Sequence, residues 1–196
     1  MVVGVSGRYC AGKSEVSGML VAEGYERLDV DRYGHEALVS EGNRVVSVFG
    51  ERILREDGEI DRRKLGEIVF ADEVARRRLE EIVHPIMRER VNARAAEGRS
   101  RGERLVIDAA LLFYMELHTA CDTVIWVDAP FLIRLWRALK RDSLSLPRLL
   151  SRFRAQHELT PQPYLHDVDI RRVNNWGSRA RLYGQVAEVP GVLPER

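Results

Sequence analysis

The chain is punctuated by short apolar runs, and between them apolar residues recur every three or four positions. Met1 to Ser6 (MVVGVS) is an apolar run of the kind that forms a buried strand. Glu26 to Asp31 (ERLDVD), Leu105 to Leu112 (LVIDAALL), Thr123 to Asp128 (TVIWVD) and a weaker Ile170 to Asn174 (IRRVN) have the same character. From Ser14 to Glu23, Val16, Met19 and Leu20 share one helical face, with Gly24 placed to close the helix. Strands alternating with helices predict a parallel sheet covered on both faces, an α/β fold.

About Val45 to Ala96 the alternation stops and consecutive helices are predicted. Asp57-Gly58 marks a turn, and Asp61 and Asp72 are placed as N-caps for the segments after them. Leu79, Ile82, Ile86 and Val91 continue an apolar face, and Pro85 suits the first turn of a new helix. The stretch is a helical insertion between the second and third strands, and Arg99 to Arg104 (RSRGER) is a polar connector back to the sheet. Beyond the fourth strand, Leu132, Leu135, Trp136 and Leu139 lie on one helical face, and Arg134, Arg137 and Arg141 on the opposite one. Ser143 to Pro147 breaks that helix, and Arg148 to His157 starts another with Arg152 and Gln156 one turn apart. Val186 to Arg196 holds two prolines and a glycine and is expected to be a loose tail. No internal repeat or low-complexity tract is present.

Length and charge narrow the picture. The 196 residues suffice for one domain with a sizeable core and a small insertion, and a net charge of +1 provides no global field toward nucleic acid or a membrane. Lys13, Lys64 and Lys140 are the only lysines. The arginine bias suits bidentate phosphate contacts, but such a bias more often reflects genome composition. Two cysteines, Cys10 and Cys121, make no disulfide framework and suggest a reducing compartment, hence the cytoplasm. No leader is expected ahead of the first strand, and no apolar stretch approaches a membrane span.

The strongest chemical signal is Gly7 to Ser14 (GRYCAGKS), which fits G-x-x-x-x-G-K-[ST] between a strand and a helix. Backbone N–H groups of such a loop wrap phosphate oxygens, Lys13 reaches the outer phosphates, and the Ser14 hydroxyl is placed to ligate Mg²⁺. Cys10 lies in the loop, where a helix N-terminus can lower a thiol's pKa; a small residue that fits the loop is the plainer reading. Asp31, Asp108 and Asp128 fall at or near strand carboxyl ends, the rim where parallel sheets bind ligands. Asp31 is either the carboxylate beside an acceptor hydroxyl or a helix N-cap; on a strand, Asp29 and Asp31 point the same way. Asp108 either reaches a Mg²⁺ shell through water or faces solvent, and Asp128 caps a turn. The arginine stripe is either a solvated face or a source of charge compensation, with Arg137 and Arg141 favoured for function. His35, His84, His118, His157 and His166 show no metal-ligand spacing; for His84 the readings are an anion contact or packing.

Together these residues resemble the dephospho-CoA kinase family over nearly the whole chain. The matching pieces are the phosphate loop, DVD at Asp29 to Asp31, VFG at Val48 to Gly50, DGEIDRRKL at Asp57 to Leu65, and VF at Val69-Phe70. LEEIVHP at Leu79 to Pro85, IDAALLF at Ile107 to Phe113, Arg137 with Arg141, RFRAQ at Arg152 to Gln156, and NWG at Asn175 to Gly177 complete the order. The resemblance implies a three-layer P-loop kinase fold across 1–196, with a parallel five-stranded sheet, a helical substrate insertion over 45–100 and a short lid over 137–152. It implies ATP-dependent phosphorylation of the ribose 3′-hydroxyl of dephospho-coenzyme A, the last step of coenzyme A biosynthesis, with Mg²⁺. A nucleoside monophosphate kinase and a nucleotide-binding module without catalysis are the alternatives.

Carried over by position, Asp31 is the catalytic carboxylate, with Lys13 and the lid arginine Arg141 stabilising charge. The ATP contacts are Gly7, Cys10, Ala11, Gly12, Lys13, Ser14, Glu15, Arg137, Arg141, Asn175 and Gly177. Asp31, Arg62, His84, Pro85 and Asp108 belong to the dephospho-CoA side, and Ser14 with Asp108, through water, to the metal. The chain departs from the family's pattern in three places. Arg8 and Cys10 stand where glycine is usual, so the loop is expected to avoid positive φ at both. Ala110 to Tyr114 lacks the family's proline and glutamate; either Glu116 substitutes for the glutamate or nothing does. Arg171 and Arg172 stand where an apolar strand is usual.

Overall fold

All five apolar runs become strands. The computed structural model describes residues 1–142, 146–155 and 160–193. In chain order the elements are β1 (Val2–Gly7), α1 (Lys13–Ala22), β2 (Glu26–Leu28), α2 (Val30–Ser40), α3 (Gly42–Phe49), α4 (Arg62–Ala71), α5 (Glu73–Ser100), β3 (Leu105–Asp108), β4 (Thr123–Asp128), α6 (Phe131–Arg141), α7 (Leu146–Ala155), β5 (Asp169–Asn174) and α8 (Arg179–Ala187). Ser143 to Ser145, Gln156, His157 and Pro194, all named above, lie outside the described residues. The chain forms two compact units, one made of Met1–Leu28 with Asn92–Arg196, the other of Asp29–Val91.

The first unit carries the sheet, five parallel strands in the order β2-β3-β1-β4-β5. β1 and β4 are buried along nearly their whole length, as central strands covered on both faces must be. On one face Val3, Val5, Ile125 and Val127 pack with Val16, Met19 and Leu20 of α1 and Leu182 and Val186 of α8. Alternate residues such as Trp126 turn to the other face, where Trp126 meets Phe113 at 6.0 Å between ring centroids. There the end of α5 is tied down by Arg99, which donates to the Ala120 carbonyl at 2.8 Å and pairs with Asp122 at 2.7 Å. Arg171 and Arg172 are exposed because β5 is an edge strand. Among the described residues no helix is long and apolar enough to cross a membrane.

The second unit is helical and has its own apolar core of Val45, Phe49, Ile53, Leu65, Ala75 and Ile82. Asp61 caps α4, accepting from the Arg63 and Lys64 N–H groups at 2.9 and 3.2 Å. Asp72 accepts from the Val74 N–H at 2.8 Å at the start of α5. Both caps stand where their sequence signal put them.

Four local expectations are corrected. β2 ends at Leu28, not Asp31, because Asp29 caps a new helix by accepting the Arg32 N–H at 2.9 Å. Asp31 therefore sits in the first turn of α2 and does not share a strand face with Asp29. β3 likewise stops at Asp108, and the chain turns through 110–115. Pro85 starts no helix; it lies inside the 28-residue α5. The proline is on the exposed side, while Ile82, Met87, Val91 and Ala95 stay buried on either side of it. That continuous buried stripe outweighs a helix-interior proline penalty of about 3 kcal/mol.

As far as Leu193 the tail is not loose. Val189, Val192 and Leu193 are buried in the main core. The Val192 carbonyl accepts from Tyr25 Oη at 2.8 Å and from Arg104, whose guanidinium lies 4.3 Å from the Tyr25 ring centroid. Prolines at 190 and 194 mislead here, because composition says nothing of the three aliphatic side chains between and beside them. Removing residues 188–196 should lower unfolding free energy by about 4 kcal/mol, the burial of three aliphatic side chains. A urea midpoint within roughly 0.2 M of the full chain would show that the segment contributes nothing.

Candidate active site

The loop Gly7–Ser14 leaves the carboxyl end of β1 and enters α1. Two glycines shape it. Gly7 is in register with Val127 of β4, and a Cβ there would lie 2.2 Å from the Val127 carbonyl oxygen. At Gly12, φ is +99° and a Cβ would meet Asn175 Nδ2 at 2.0 Å. Between them the Ala11 N–H closes a turn on the Arg8 carbonyl at 3.0 Å. Cys10 has φ 59°, against the expectation that a non-glycine residue here avoids positive φ. Its thiol is buried with Ala138, Leu149 and Phe153, so packing holds the residue in the left-handed region.

No side chain caps α1 at Gly12; the Glu15 N–H turns back to the Gly12 carbonyl at 3.1 Å, and the N–H groups of Lys13 and Ser14 remain at the helix start for an anion. The carbonyl sides of the loop are occupied. Arg137 Nη1 donates to the Ala11 carbonyl at 3.1 Å and the Cys10 carbonyl at 3.5 Å. Its Nη2 donates to the Asn175 carbonyl at 2.9 Å and to Asn175 Oδ1 at 3.3 Å. Asn175, which is buried, donates from Nδ2 to the Ala11 carbonyl at 3.0 Å and to Glu15 at 3.1 Å. In a trans peptide the N–H points away from the C=O, so the Ala11 carbonyl held by Arg137 and Asn175 leaves the Gly12 N–H on the opposite side, while the Ala11 N–H stays with the Arg8 carbonyl.

This arrangement turns α6 inside out relative to a simple amphipathic helix. Arg134 is buried, with Nε donating to the Ala129 carbonyl at 3.0 Å and its guanidinium 5.3 Å from the Phe153 ring centroid. Leu132, Trp136 and Leu139 are exposed. The solvated-face reading of the arginine stripe is therefore wrong for Arg134, held by the Ala129 carbonyl, and for Arg137, held by the carbonyls of Ala11 and Asn175, while Leu135 and Ala138 pack toward Cys10. Arg141, the third member of the stripe, is exposed and lies with its guanidinium 5.2 Å from the Tyr9 ring centroid.

Burial draws the Lys13 ammonium below the usual lysine range, with Asp108 opposing that shift. Asp108 ends β3 and pairs with Arg27 of the neighbouring strand. Ser14 is exposed at the start of α1. Asp128 caps the turn after β4, accepting the Ala129 N–H at 2.9 Å. Gly177 lies in the turn before α8, beside the Arg181 side chain. Glu116 starts a short turn of helix, Leu117–Ala120, with φ 55°. Thus Gly7, Cys10, Ala11, Gly12, Lys13, Glu15, Arg137 and Asn175 are brought together.

Asp31, Arg62, His84 and Pro85 belong to the second unit. Asp31 is exposed near the start of α2. Arg62 lines a cleft of about 630 Å³ together with Leu38, Val46, Leu54, Arg55 and Ile60. His84 and Pro85 are on α5, outside that lining, and burial holds the His84 imidazole below its usual pKa despite Glu80. Sequence reasoning missed the parts played by Tyr9, Asp142 and the buried Arg134. Only the pairing of an aromatic loop residue with the Arg-Asp at 141–142 hinted at them.

The family model described as Dephospho-CoA kinase matches residues 1–175. The chain is 40% identical to a dephospho-CoA kinase of Bacillus licheniformis over 175 residues, 87% of each protein. It is also 40% identical to one of Moorella thermoacetica over 165 residues, 81% of this chain and 77% of that protein. A solved dephospho-CoA kinase from Campylobacter jejuni has the same fold, with a TM-score of 0.69 and 23% identity over 96% of this chain and 94% of that one.

The environment of the two thiols yields a prediction. Burial pushes the Cys10 thiol up, against the combined pull of Arg141, Lys13, Arg137 and Arg134, and pushes Cys121 up to about 12. The helix N-terminus does not activate Cys10. A raised pKa means less thiolate at pH 8 than a free cysteine carries. Both thiols should react with a disulfide reagent at least ~10-fold more slowly in the folded protein than in urea. A fast native phase of one equivalent would contradict this.

Proposed function

The chain belongs to the dephospho-CoA kinase family, and from that premise we propose that it catalyses ATP + 3′-dephospho-CoA → ADP + coenzyme A. One observation carries the reading: Arg137 and Asn175 hold the Ala11 carbonyl, which leaves the Gly12 N–H and the uncapped α1 terminus for a polyphosphate. A nucleoside monophosphate kinase is not favoured, because the matching family model spans residues 1–175.

The loop amides and Lys13 grip the β- and γ-phosphates, with Arg141 contributing charge compensation. The residues fit a magnesium ion that keeps most of its waters. Ser14 offers one exposed hydroxyl, and Asp108 offers a carboxylate already ordered by Arg27 at the end of β3, suited to reach the ion through water. Bound there, the ion neutralises charge on the outer phosphates. Asn175, whose side chain also contacts Glu15, and Gly177 flank the nucleotide's base side. Two free, buried thiols suit a reducing compartment, and we place the enzyme in the cytoplasm.

Asp31 is assigned by its correspondence in sequence to the family's carboxylate. It orients the ribose 3′-hydroxyl and takes its proton. The bond from that oxygen to the γ-phosphorus forms as the bond from phosphorus to the β–γ bridging oxygen breaks, and ADP carries the electron pair away. The proton passes from Asp31 to water. Arg62, His84 and Pro85 serve the dephospho-CoA side.

Asp31→Asn should lower kcat by about 10³-fold while Mg²⁺–ATP binding by calorimetry persists. Unchanged turnover would remove Asp31 from its role, and a wild-type protein that forms no coenzyme A would remove the reaction. Arg137→Lys should weaken Mg²⁺–ATP binding about tenfold, since a lysine cannot span the Ala11 and Asn175 carbonyls together. Wild-type affinity in that variant would show that the loop keeps its shape without the fork.

A further inference from the structure

Of one polar cluster in the first unit, the scheme above uses only Arg141. Tyr9 is the third residue of the phosphate loop. Its hydroxyl donates to Asp142 Oδ2 and accepts from Arg152 Nη1 at 3.3 Å. Asp142 accepts from Arg141, through Nε at 2.9 Å and Nη2 at 3.3 Å, and lies 3.6 Å from Arg152. The Tyr9 ring has Arg141 at 5.2 Å and Arg152 at 5.9 Å from its centroid, and it meets the Phe153 ring edge-on at 5.2 Å. A single loop side chain thus touches the last residue of α6, the residue after it and two residues of α7.

The chemistry of the cluster is asymmetric. Two guanidinium groups share one carboxylate, so the group carries net positive charge beside a loop built for anions. Asp142 is only 16% exposed while Arg141 and Arg152 are 61% and 54% exposed, so the carboxylate is the fixed centre on which two solvent-facing cations converge. Tyr9 adds no charge. Its hydroxyl fixes the direction of the carboxylate, and its ring fixes the Arg141 plane by a cation–π contact.

We propose that Tyr9 and Asp142 are positioning residues for ATP: they hold the guanidinium groups of Arg141 and Arg152 beside the phosphate loop, ready for the phosphoryl group that is transferred. Cations fixed before the substrate arrives need no reorganisation as charge spreads in the transition state. This rests on the reading of the loop as the ATP site. It extends that reading to two residues that bear no positive charge, one of them an aromatic residue inside the loop.

The test uses the full chain with Tyr9→Phe, Asp142→Asn and the double variant. Tyr9→Phe keeps the ring and its Phe153 contact and removes only the hydroxyl. We expect kcat/KM for ATP to fall about 5-fold in Tyr9→Phe and about 20-fold in Asp142→Asn, with KM for dephospho-CoA unchanged within about twofold. The double variant should be no worse than Asp142→Asn, since the hydroxyl acts through the carboxylate. Melting temperatures should stay within roughly 2 °C of wild type. Values of kcat/KM for ATP within twofold of wild type, additive losses, or losses shared equally with KM for dephospho-CoA would each overturn the proposal. Calorimetry with Mg²⁺ and a non-hydrolysable ATP analogue needs no acceptor, and both variants should bind it at least ~3-fold more weakly. If wild type binds the analogue but makes no coenzyme A, the assigned reaction fails and the binding arm alone decides the role of Tyr9 and Asp142. If wild type turns over and the variants match it, the positioning role fails alone.

Discussion

Peptide groups cannot present both their ends to the same place, and the anion site of this protein depends on which end is tied down. Arg137 and Asn175 tie down the carbonyl ends. Five donor contacts converge there, four from one guanidinium and one from the Asn175 amide to the Ala11 carbonyl. They join residues 10 and 11 to residue 175, which closes β5 onto β1's loop across most of the chain. Each hydrogen bond from a charged donor contributes about 1.5–3 kcal/mol. No carboxylate is among the partners these contacts name, so the charge of Arg137 is directed at backbone dipoles and shapes the loop instead of cancelling an acid.

That requirement explains an otherwise odd helix. α6 has a strong division into apolar and basic sides, and hydrophobic patterning alone would bury the apolar one. The loop offers carbonyls to Arg137 and the chain before the helix offers one to Arg134, so part of the basic side turns inward, Leu135 keeps a partly buried place beside Cys10 and Ala138, and Leu132, Trp136 and Leu139 are left outside. The Lys140 ammonium rests 4.0 Å from the Trp136 ring centroid, which partly covers the exposed indole.

What could be seen in the sequence follows from the range of the forces involved. β1 and β4, the Asp61 and Asp72 caps and the phosphate loop rest on local patterns, and each stands where the residues put it. The end of β2 was misread because Asp29 satisfies a strand pattern and a helix cap equally well, and only the neighbour that fills the next position decides. The orientation of α6 and the burial of Val189, Val192 and Leu193 depend on partners more than a hundred residues away in the chain, Ala11 for Arg137 and Tyr25 for Val192. No window of sequence contains both sides of those contacts. The cations of the site are legible as residues; their division into Arg137 and Arg134, which build the loop's surroundings, and Lys13, partly buried with Asp108 acting on it, is not.

The glycine content of the loop separates into two physical demands. At Gly7 and Gly12 the demand is steric: any Cβ collides with the Val127 carbonyl or with the Asn175 amide that shapes the loop. At Gly7 the atom in the way is backbone of β4, and at Gly12 it is the Asn175 amide that also holds the Ala11 carbonyl. At position 10 the demand is only conformational. An L-residue held at φ 59° costs about 1–2 kcal/mol, and a cysteine thiol buried among Ala138, Leu149 and Phe153 offsets a cost of that size. The same apolar contacts seat the Tyr9 ring against Phe153. A packed side chain in place of a glycine therefore anchors the loop to α6 and α7, the helices that bear Arg141 and Arg152.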